Sequence, residues 1–282
     1  MAHDPRPVLD QLDPDGPLVM GILNTTPDSF SDGGSWGSVD RAVAHGEAMI
    51  ADGADIIDIG GESSRPGAEP VTLDEELART IPVIEGLRGR CVMSIDSAKP
   101  DVAEAALRAG AHIVNDITAK LEDVAAAGNA GWIAMHMQGA PQTMQHLPEY
   151  GDVAREVADS LCEAAQRGKR AGIRHLWVDP GIGFGKTTVH NLELLQQLEK
   201  FAMVDAKTLV GVSRKRFIGE IHSLSGGITK ITDTNDRREG SLVAAVWSWL
   251  HGAHIVRVHD VRASCVAARH VRKLVELDRD GF

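Results

Sequence analysis

Short apolar runs recur along the chain, each followed by a stretch whose apolar residues return at helical spacing. The runs cover residues 19–23, 55–59, 92–95, 112–114, 132–135, 175–178, 208–212 and 254–258. Runs this short, bounded by glycine or polar residues, predict buried strands of a parallel sheet. The stretches between them predict helices over about residues 39–52, 74–87, 100–109, 122–127, 153–171, 189–199, 241–251 and 263–277. Local chemistry supports several of these bounds. Gly53 stops the first helix, Thr72 and Glu75 have capping-box spacing at the second, and Pro100 suits the first turn of the third. Segment 221–237 reads as a polar, glycine-containing connection.

Eight strand–helix alternations in 282 residues predict an α/β chain folded as a single-domain (β/α)8 TIM barrel over residues 18–282. Residues 1–17 read as a Pro/Asp-rich lead-in. A doubly wound open sheet is the alternative, although it usually needs fewer units. In a barrel the C-terminal strand ends share one mouth, and the loops there build the site. The polar groups of this chain fall at those ends: Asn24, Glu62 with Arg65, Asp96, Asn115, His136, Asp179, Lys215, then Arg257 and His259.

Composition narrows the picture. Hydrophobic residues make up 43% of the chain and aromatics only 4%, so the core must be largely aliphatic. A net charge of -11 argues against nucleic acid as the main partner. Small anions remain open, since they need only a few local cations. Cys91, Cys162 and Cys265 are widely spaced and form no CxxC, which fits neither a disulfide framework nor a zinc site. No apolar run reaches the length of a membrane span, and the first residues lack the apolar core of a signal peptide. The expectation is a soluble, cytoplasmic protein without a membrane partner.

Candidate chemistry concentrates in a few places. Residues 19–34, VMGILNTTPDSFSDGG, pass from an apolar strand into a loop bearing the Asn24 amide, the Asp28 carboxylate, the Ser29 hydroxyl and the Phe30 ring. Such a loop is a ligand loop or an ordinary surface connection. Asp96, Asn115 and Asp179 offer hydrogen-bond groups for a flat heterocycle with donors and acceptors on its edge; they equally suit helix N-caps just beyond a strand. Lys215, in SRKR, can reach a ligand carbonyl or ring nitrogen, whereas Arg216 and Arg214 read as a solvated basic turn. Arg65, Arg257 and His259 are cations suited to a diphosphate, with an Arg257–Asp260 salt bridge as the rival reading. GIGFGK is not read as a dinucleotide fingerprint: its spacing is wrong and it follows a late strand. Its glycines more simply let backbone pass close to a ligand, with Phe184 against an aromatic substrate or the barrel rim. His112, His136, His175 and His254 lack metal spacing and read as structural. A magnesium ion would ride on substrate phosphates, with Asn24 as its natural protein oxygen.

Two stretches point to a family. Residues 20–34, MGILNTTPDSFSDGG, and residues 58–68, DIGGESSRPGA, resemble the two signature motifs of the dihydropteroate synthases. SIDS, VNDI, MHMQG, DPGIGFGKT, VGVSRKRFIG and RVHDV resemble the family's later blocks in the same order, so the resemblance spans about residues 18–275. It implies a pterin-binding TIM barrel and a transferase of folate biosynthesis. The reaction joins para-aminobenzoate to 6-hydroxymethyl-7,8-dihydropterin diphosphate, giving 7,8-dihydropteroate and diphosphate. The resemblance implies Asp96, Asn115, Met135, Asp179 and Lys215 around the pterin. It implies Asn24, Arg65, Arg257 and His259 on the diphosphate, with Asn24 also on Mg2+. It implies Phe30, Ser64, Pro66, Phe184, Ser213 and Lys215 around para-aminobenzoate, the pocket for which sulfonamides compete. Asp96, Lys215, Asp28 and Arg65 would be catalytic. The chemistry expected is an SN1-like displacement, with loops 25–34 and 62–67 ordering around the cation, in a homodimer. A pterin-dependent methyltransferase shares the barrel and the pterin pocket but needs neither the diphosphate cluster nor the NTTPDSFSDGG loop. A paralogue without catalysis should have lost residues from those same loops, and here they are filled.

Overall fold

The computed structural model describes residues 4–26, 35–63, 68–139, 143–144, 148–225 and 233–279. A short helix α1 (Arg6–Leu9) precedes strand β1 (Leu18–Asn24). There follow α2 (Ser35–Ala51), β2 (Ile56–Gly60), α3 (Leu73–Leu87), β3 (Val92–Asp96), α4 (Pro100–Ala109), β4 (Ile113–Asp116), α5 (Glu122–Ala127) and β5 (Gly131–Met135). The second half continues with α6 (Val153–Arg170), β6 (Leu176–Asp179), α7 (Thr188–Gln196), β7 (Lys207–Gly211), α8 (Arg216–Ser225), α9 (Arg238–Leu250), β8 (Ala253–Val258) and α10 (Val261–Arg279). Each strand pairs in parallel with the next and β8 pairs with β1, so the sheet closes and the open-sheet alternative falls.

Strand alternation sorts the side chains into two layers. Leu18, Met20, Ile56, Val92, Ile113, Ile133, Trp177, Leu209 and Ile255 form one cluster inside the barrel. Their neighbours in sequence, among them Val19, Ile57, Met93, Val114, Trp132, Val178, Val210 and Val256, pack outward with the helices. The inside cluster is built from the first residues of the strands. Leu9 of α1, 1% exposed, joins it there, with Val8 and Leu12 packed against it. Polar ties hold the same end: Asp10 meets His175 Nε2 at 3.0 Å, and His254 Nε2 meets the Asp13 carbonyl at 2.8 Å. Residues 5–13 therefore close the barrel opposite its mouth.

Most helices begin where local chemistry places them. Thr72 accepts the Glu75 N–H at the start of α3, and Pro100 opens α4. Segment 221–237 differs from its reading as a connection, because α8 covers Arg216–Ser225. Phe217 and Ile218 are buried and Ile221 packs against the core, an apolar face at helical spacing that the basic SRKR run disguises. Helix α7 ends at Gln196, and Leu198–Met203 continue as a 3-10 turn.

On every strand but β1, where Ile22 follows Met20, one step of two residues leads from the apolar interior to the mouth. Beyond Ile56, Val92, Ile113, Ile133, Trp177, Leu209 and Ile255, the next inward positions hold Asp58, Ser94, Asn115, Met135, Asp179, Gly211 and Arg257. If α1 closes the barrel, Leu9→Ala should lower the unfolding free energy in a urea titration by about 2–5 kcal/mol. A loss below about 0.5 kcal/mol, the scale of surface substitutions, would contradict this closure.

Candidate active site

The inward layer is organised by Arg257. Its Nε donates to Asp58 Oδ2 at 2.6 Å and its Nη2 to Asp96 Oδ2 at 2.7 Å. Asn115 Nδ2 donates to the same Asp58 oxygen at 3.0 Å. Strands β8, β2, β3 and β4 thus share one hydrogen-bonded network. Asp58 is fully buried, so its charge depends on this pairing. Flanked by two carboxylates, the guanidinium is held charged more firmly than usual despite burial. Burial pushes the Asp96 carboxyl up to about 7; Arg257 opposes the shift, and Asp58 and Glu76 add to it. Asp58 Oδ1 and Ser94 Oγ, at register-paired positions, are buried without a hydrogen-bond partner among the described residues. Buried polar atoms are normally satisfied, so this layer has room for a polar guest.

The β6–β7 side completes the layer. Asp179 accepts the Gly181 N–H at 2.8 Å, and burial raises its carboxyl against the pull of Lys215. Lys215 Nζ donates to the Ile182 carbonyl and lies 4.4 Å above the Phe184 ring. Burial lowers the Lys215 ammonium to about 8, although Asp179 favours its charged form. Gly211, the inward residue of β7, brings bare backbone beside these groups: a Cβ there would be in ordinary contact with Lys215 Nζ at 3.7 Å and with Asp179 Oδ2 at 3.9 Å.

Around this centre stand residues of the rim. Asn24 ends β1 beside Gly60, whose carbonyl accepts from Thr25 N and Oγ1. Ser213 Oγ accepts the His259 N–H at 3.1 Å and lies 3.0 Å from His259 Nδ1, which fixes the imidazole. The Arg257–Asp260 pairing considered from sequence is replaced by another. Arg214 forks onto Asp260 at 3.1 and 2.9 Å, so it is a structural clamp and not a solvated turn. Arg216 does lie at the surface, paired with Glu220. At the root of the loop after β2, Lys99 bridges Glu62 and the buried Glu76, while Arg79 donates to the Gly61 carbonyl.

Among the sequence-predicted site residues, Asp96, Asn115, Asp179, Lys215 and Arg257 are brought to one place. Met135 ends β5 in the same layer, while Asn24, Phe184, Ser213 and His259 stand next to it. Asp28, Phe30, Ser64, Arg65 and Pro66 lie outside the described residues. Sequence reasoning missed Asp58, although a lone carboxylate inside IIDIG, on an inward position, was a usable signal. It also missed Lys186, which is 2% exposed. The glycines of PGIGFGK permit close approach to other parts of the chain: a Cβ on Gly181 would fall onto the His136 carbonyl, and one on Gly185 onto that of Gln138. The four histidines read as structural are engaged within the fold, His254 Nδ1 for instance accepting from Trp177 Nε1 at 3.1 Å.

For a metal, the described residues hold no cluster of three or more His, Cys, Asp or Glu side chains. Asn24 offers a neutral oxygen at the rim. That donor set fits a hydrated Mg2+ delivered on a phosphate ligand, which needs few protein oxygens.

Comparison with known proteins agrees on one relationship. The family described as pterin binding enzyme matches residues 20–259. The dihydropteroate synthase of Escherichia coli (strain K12) is 46% identical over 268 residues, 92% of each chain. The crystal structure of Yersinia pestis dihydropteroate synthase with a sulfonamide drug complex superposes with a TM-score of 0.85 at 40% identity, covering 94% of this chain and 96% of that one. The Xanthomonas albilineans enzyme with 4-aminobenzoic acid gives 0.83 at 42% identity, covering 92% and 93%.

The network makes a sharp prediction. Asp58→Ala strips Arg257 and Asn115 of a shared acceptor in a buried site, and should cost about 3–5 kcal/mol in chemical unfolding. A loss under about 1 kcal/mol, the scale of an exposed pair, would mean that Asp58 does not carry the network.

Proposed function

The chain belongs to the pterin-binding enzymes and, within them, to the dihydropteroate synthases, and we propose that it joins para-aminobenzoate to 6-hydroxymethyl-7,8-dihydropterin diphosphate. The products are 7,8-dihydropteroate and diphosphate, a step of folate biosynthesis. The observation that carries this reading is the inward polar layer, where Asp58 and Arg257 join Asn115 to Asp96 and where Asp179 and Lys215 lie beside Gly211. Such a layer suits a flat ring with alternating donors and acceptors. Asp96 and Asp179 take its N–H groups, Asn115 serves its edge, Lys215 donates to a ring carbonyl or nitrogen, and Met135 packs on it.

Charge then dictates the reaction. The bond from the pterin methylene to the diphosphate oxygen breaks, and its electron pair leaves with the diphosphate. Asn24, Arg65, Arg257 and His259 receive that leaving group. Arg257 commits two of its five N–H donors to Asp58 and Asp96, so others remain for an anion. Its charge is already balanced by two carboxylates, however. The additional positive charge would come from Arg65 and from a Mg2+ held by the substrate with Asn24, with His259 as a hydrogen-bonding group. That ion would supply charge neutralisation on the diphosphate. The methylene carries positive charge as the leaving group departs, and ionised Asp96 stabilises it. The arylamine, neutral near pH 7, adds its nitrogen lone pair to the carbon and then releases a proton. No strong base is needed, which favours the SN1-like course. The arylamine pocket is assigned to Phe30, Ser64, Pro66, Phe184, Ser213 and Lys215, with catalytic roles for Asp96, Lys215, Asp28 and Arg65. The Xanthomonas relative holds 4-aminobenzoic acid and the Yersinia relative a sulfonamide drug, which supports an arylamine substrate for this chain.

No described helix is long and apolar enough to cross a membrane, and we assign the enzyme to the cytoplasm as part of the same proposal. We assign it to a homodimer through α7 and α9. Val189, Leu192, Val243, Trp247 and Leu250 are exposed apolar side chains of these helices, tied together by Trp247 Nε1 donating to the Leu195 carbonyl.

Purified protein with the pterin diphosphate, Mg2+ and para-aminobenzoate should release diphosphate and form 7,8-dihydropteroate. Diphosphate release without dihydropteroate when the arylamine is present, or no release at all, would contradict the assignment. Because Asp96 must be ionised to accept from the pterin, and its carboxyl is raised to about 7, pterin affinity should fall as the pH drops through that value. Asp96→Asn should flatten the profile; an unchanged profile would remove Asp96 from the pterin. Sedimentation should show a dimer that Trp247→Glu shifts to monomer, and a monomeric wild type would defeat the dimer.

A further inference from the structure

Loop 180–187 is gripped by two lysines, the buried Lys186 and the half-buried Lys215, and the reaction uses only the second. Lys186 Nζ lies 3.0 Å from His136 Nδ1, 3.1 Å from the Gly181 carbonyl and 3.0 Å from that of Phe184. An ammonium has three donors, and three acceptors surround it closely here. His136 is a suitable acceptor, because burial, helped by Lys186, lowers its imidazole to about 3 and keeps it neutral. Burial also lowers the Lys186 ammonium, to about 7, with Asp179 opposing. The Tyr150 ring faces Nζ at 5.9 Å, and its hydroxyl donates to the Gly185 carbonyl at 3.0 Å.

The loop carbonyls divide between the two lysines. Those of Gly181 and Phe184 turn to Lys186 on the His136 side, and that of Ile182 turns to Lys215 at the mouth. Phe184 stands between them, its carbonyl on Lys186 and its ring under Lys215. The pterin contacts Asp96 and Asn115 sit on strands β3 and β4 with hydrogen bonds that do not involve the loop, and only Asp179 of β6 touches it, through the Gly181 N–H. We propose that Lys186 is a positioning residue for the arylamine pocket, pinning the loop against His136 so that the Phe184 ring is held at the mouth. The proposal rests on the assignment of Phe184 to para-aminobenzoate above.

The test is steady-state kinetics of full-length Lys186→Met beside wild type, with KM for each substrate measured separately. Wild-type turnover tests the proposed function, and the ratio of variant to wild type tests Lys186. The arylamine KM should rise about tenfold or more while the pterin diphosphate KM stays within about threefold. Equal changes in both constants, or no change in either, would overturn the proposal, since a general structural role predicts no such split. If Lys186→Met does not fold, His136→Leu and His136→Gln decide. Leucine removes one acceptor and should raise the arylamine KM, whereas glutamine returns an oxygen acceptor and should restore it. Identical behaviour of these two variants would overturn the proposal.

Discussion

A guanidinium buried between two carboxylates sets the geometry of the barrel mouth. Arg257 cannot leave Asp58 without stranding a fully buried anion, and it cannot leave Asp96 without losing a charge-assisted hydrogen bond. Asn115 shares the Asp58 oxygen, so its amide is oriented by the same constraint. Four strands are thereby locked at the level where the ring of a substrate would rest. Such pairs add little to net stability compared with apolar packing. What this one adds is position: carboxylate, amide and guanidinium are held in fixed directions before any ligand arrives, which is what electrostatic stabilisation of a developing charge requires.

The barrel makes this arrangement by simple periodicity. Along each strand the inward positions are two residues apart, and one step carries the interior from Ile56 to Asp58, from Ile113 to Asn115, from Trp177 to Asp179 and from Ile255 to Arg257. The apolar layer beneath is sealed by Leu9 from the N-terminal side, so the polar layer rests on a dry floor. Burial raises Asp96 to about 7 and lowers Lys215 to about 8, toward neutral pH, where small environmental changes alter their protonation.

Much of this was legible in the sequence, for physical reasons. Strands of a closed parallel barrel are short and apolar, so their number and order could be read directly, and polar residues at their ends marked the mouth. The direction of a long side chain could not be read. The sequence offers Asp260 as a rival partner for Arg257, yet Asp58, distant in sequence and two strands away round the barrel, holds it, while Arg214 takes Asp260. Asp58 was hidden inside an apolar run because burial of a carboxylate makes sense only once its partner is known. Lys186 was hidden for the same reason. Helix α8 was obscured because its basic start outweighed the spacing of Phe217, Ile218 and Ile221.

The most direct test of the account is a crystal structure of the protein with 6-hydroxymethyl-7,8-dihydropterin diphosphate. The account predicts the ring edge on Asp96, Asn115 and Asp179, Lys215 Nζ turned to the ring, and Arg257 still paired with Asp58. A pterin bound elsewhere, or one that displaces Arg257 from Asp58, would contradict it.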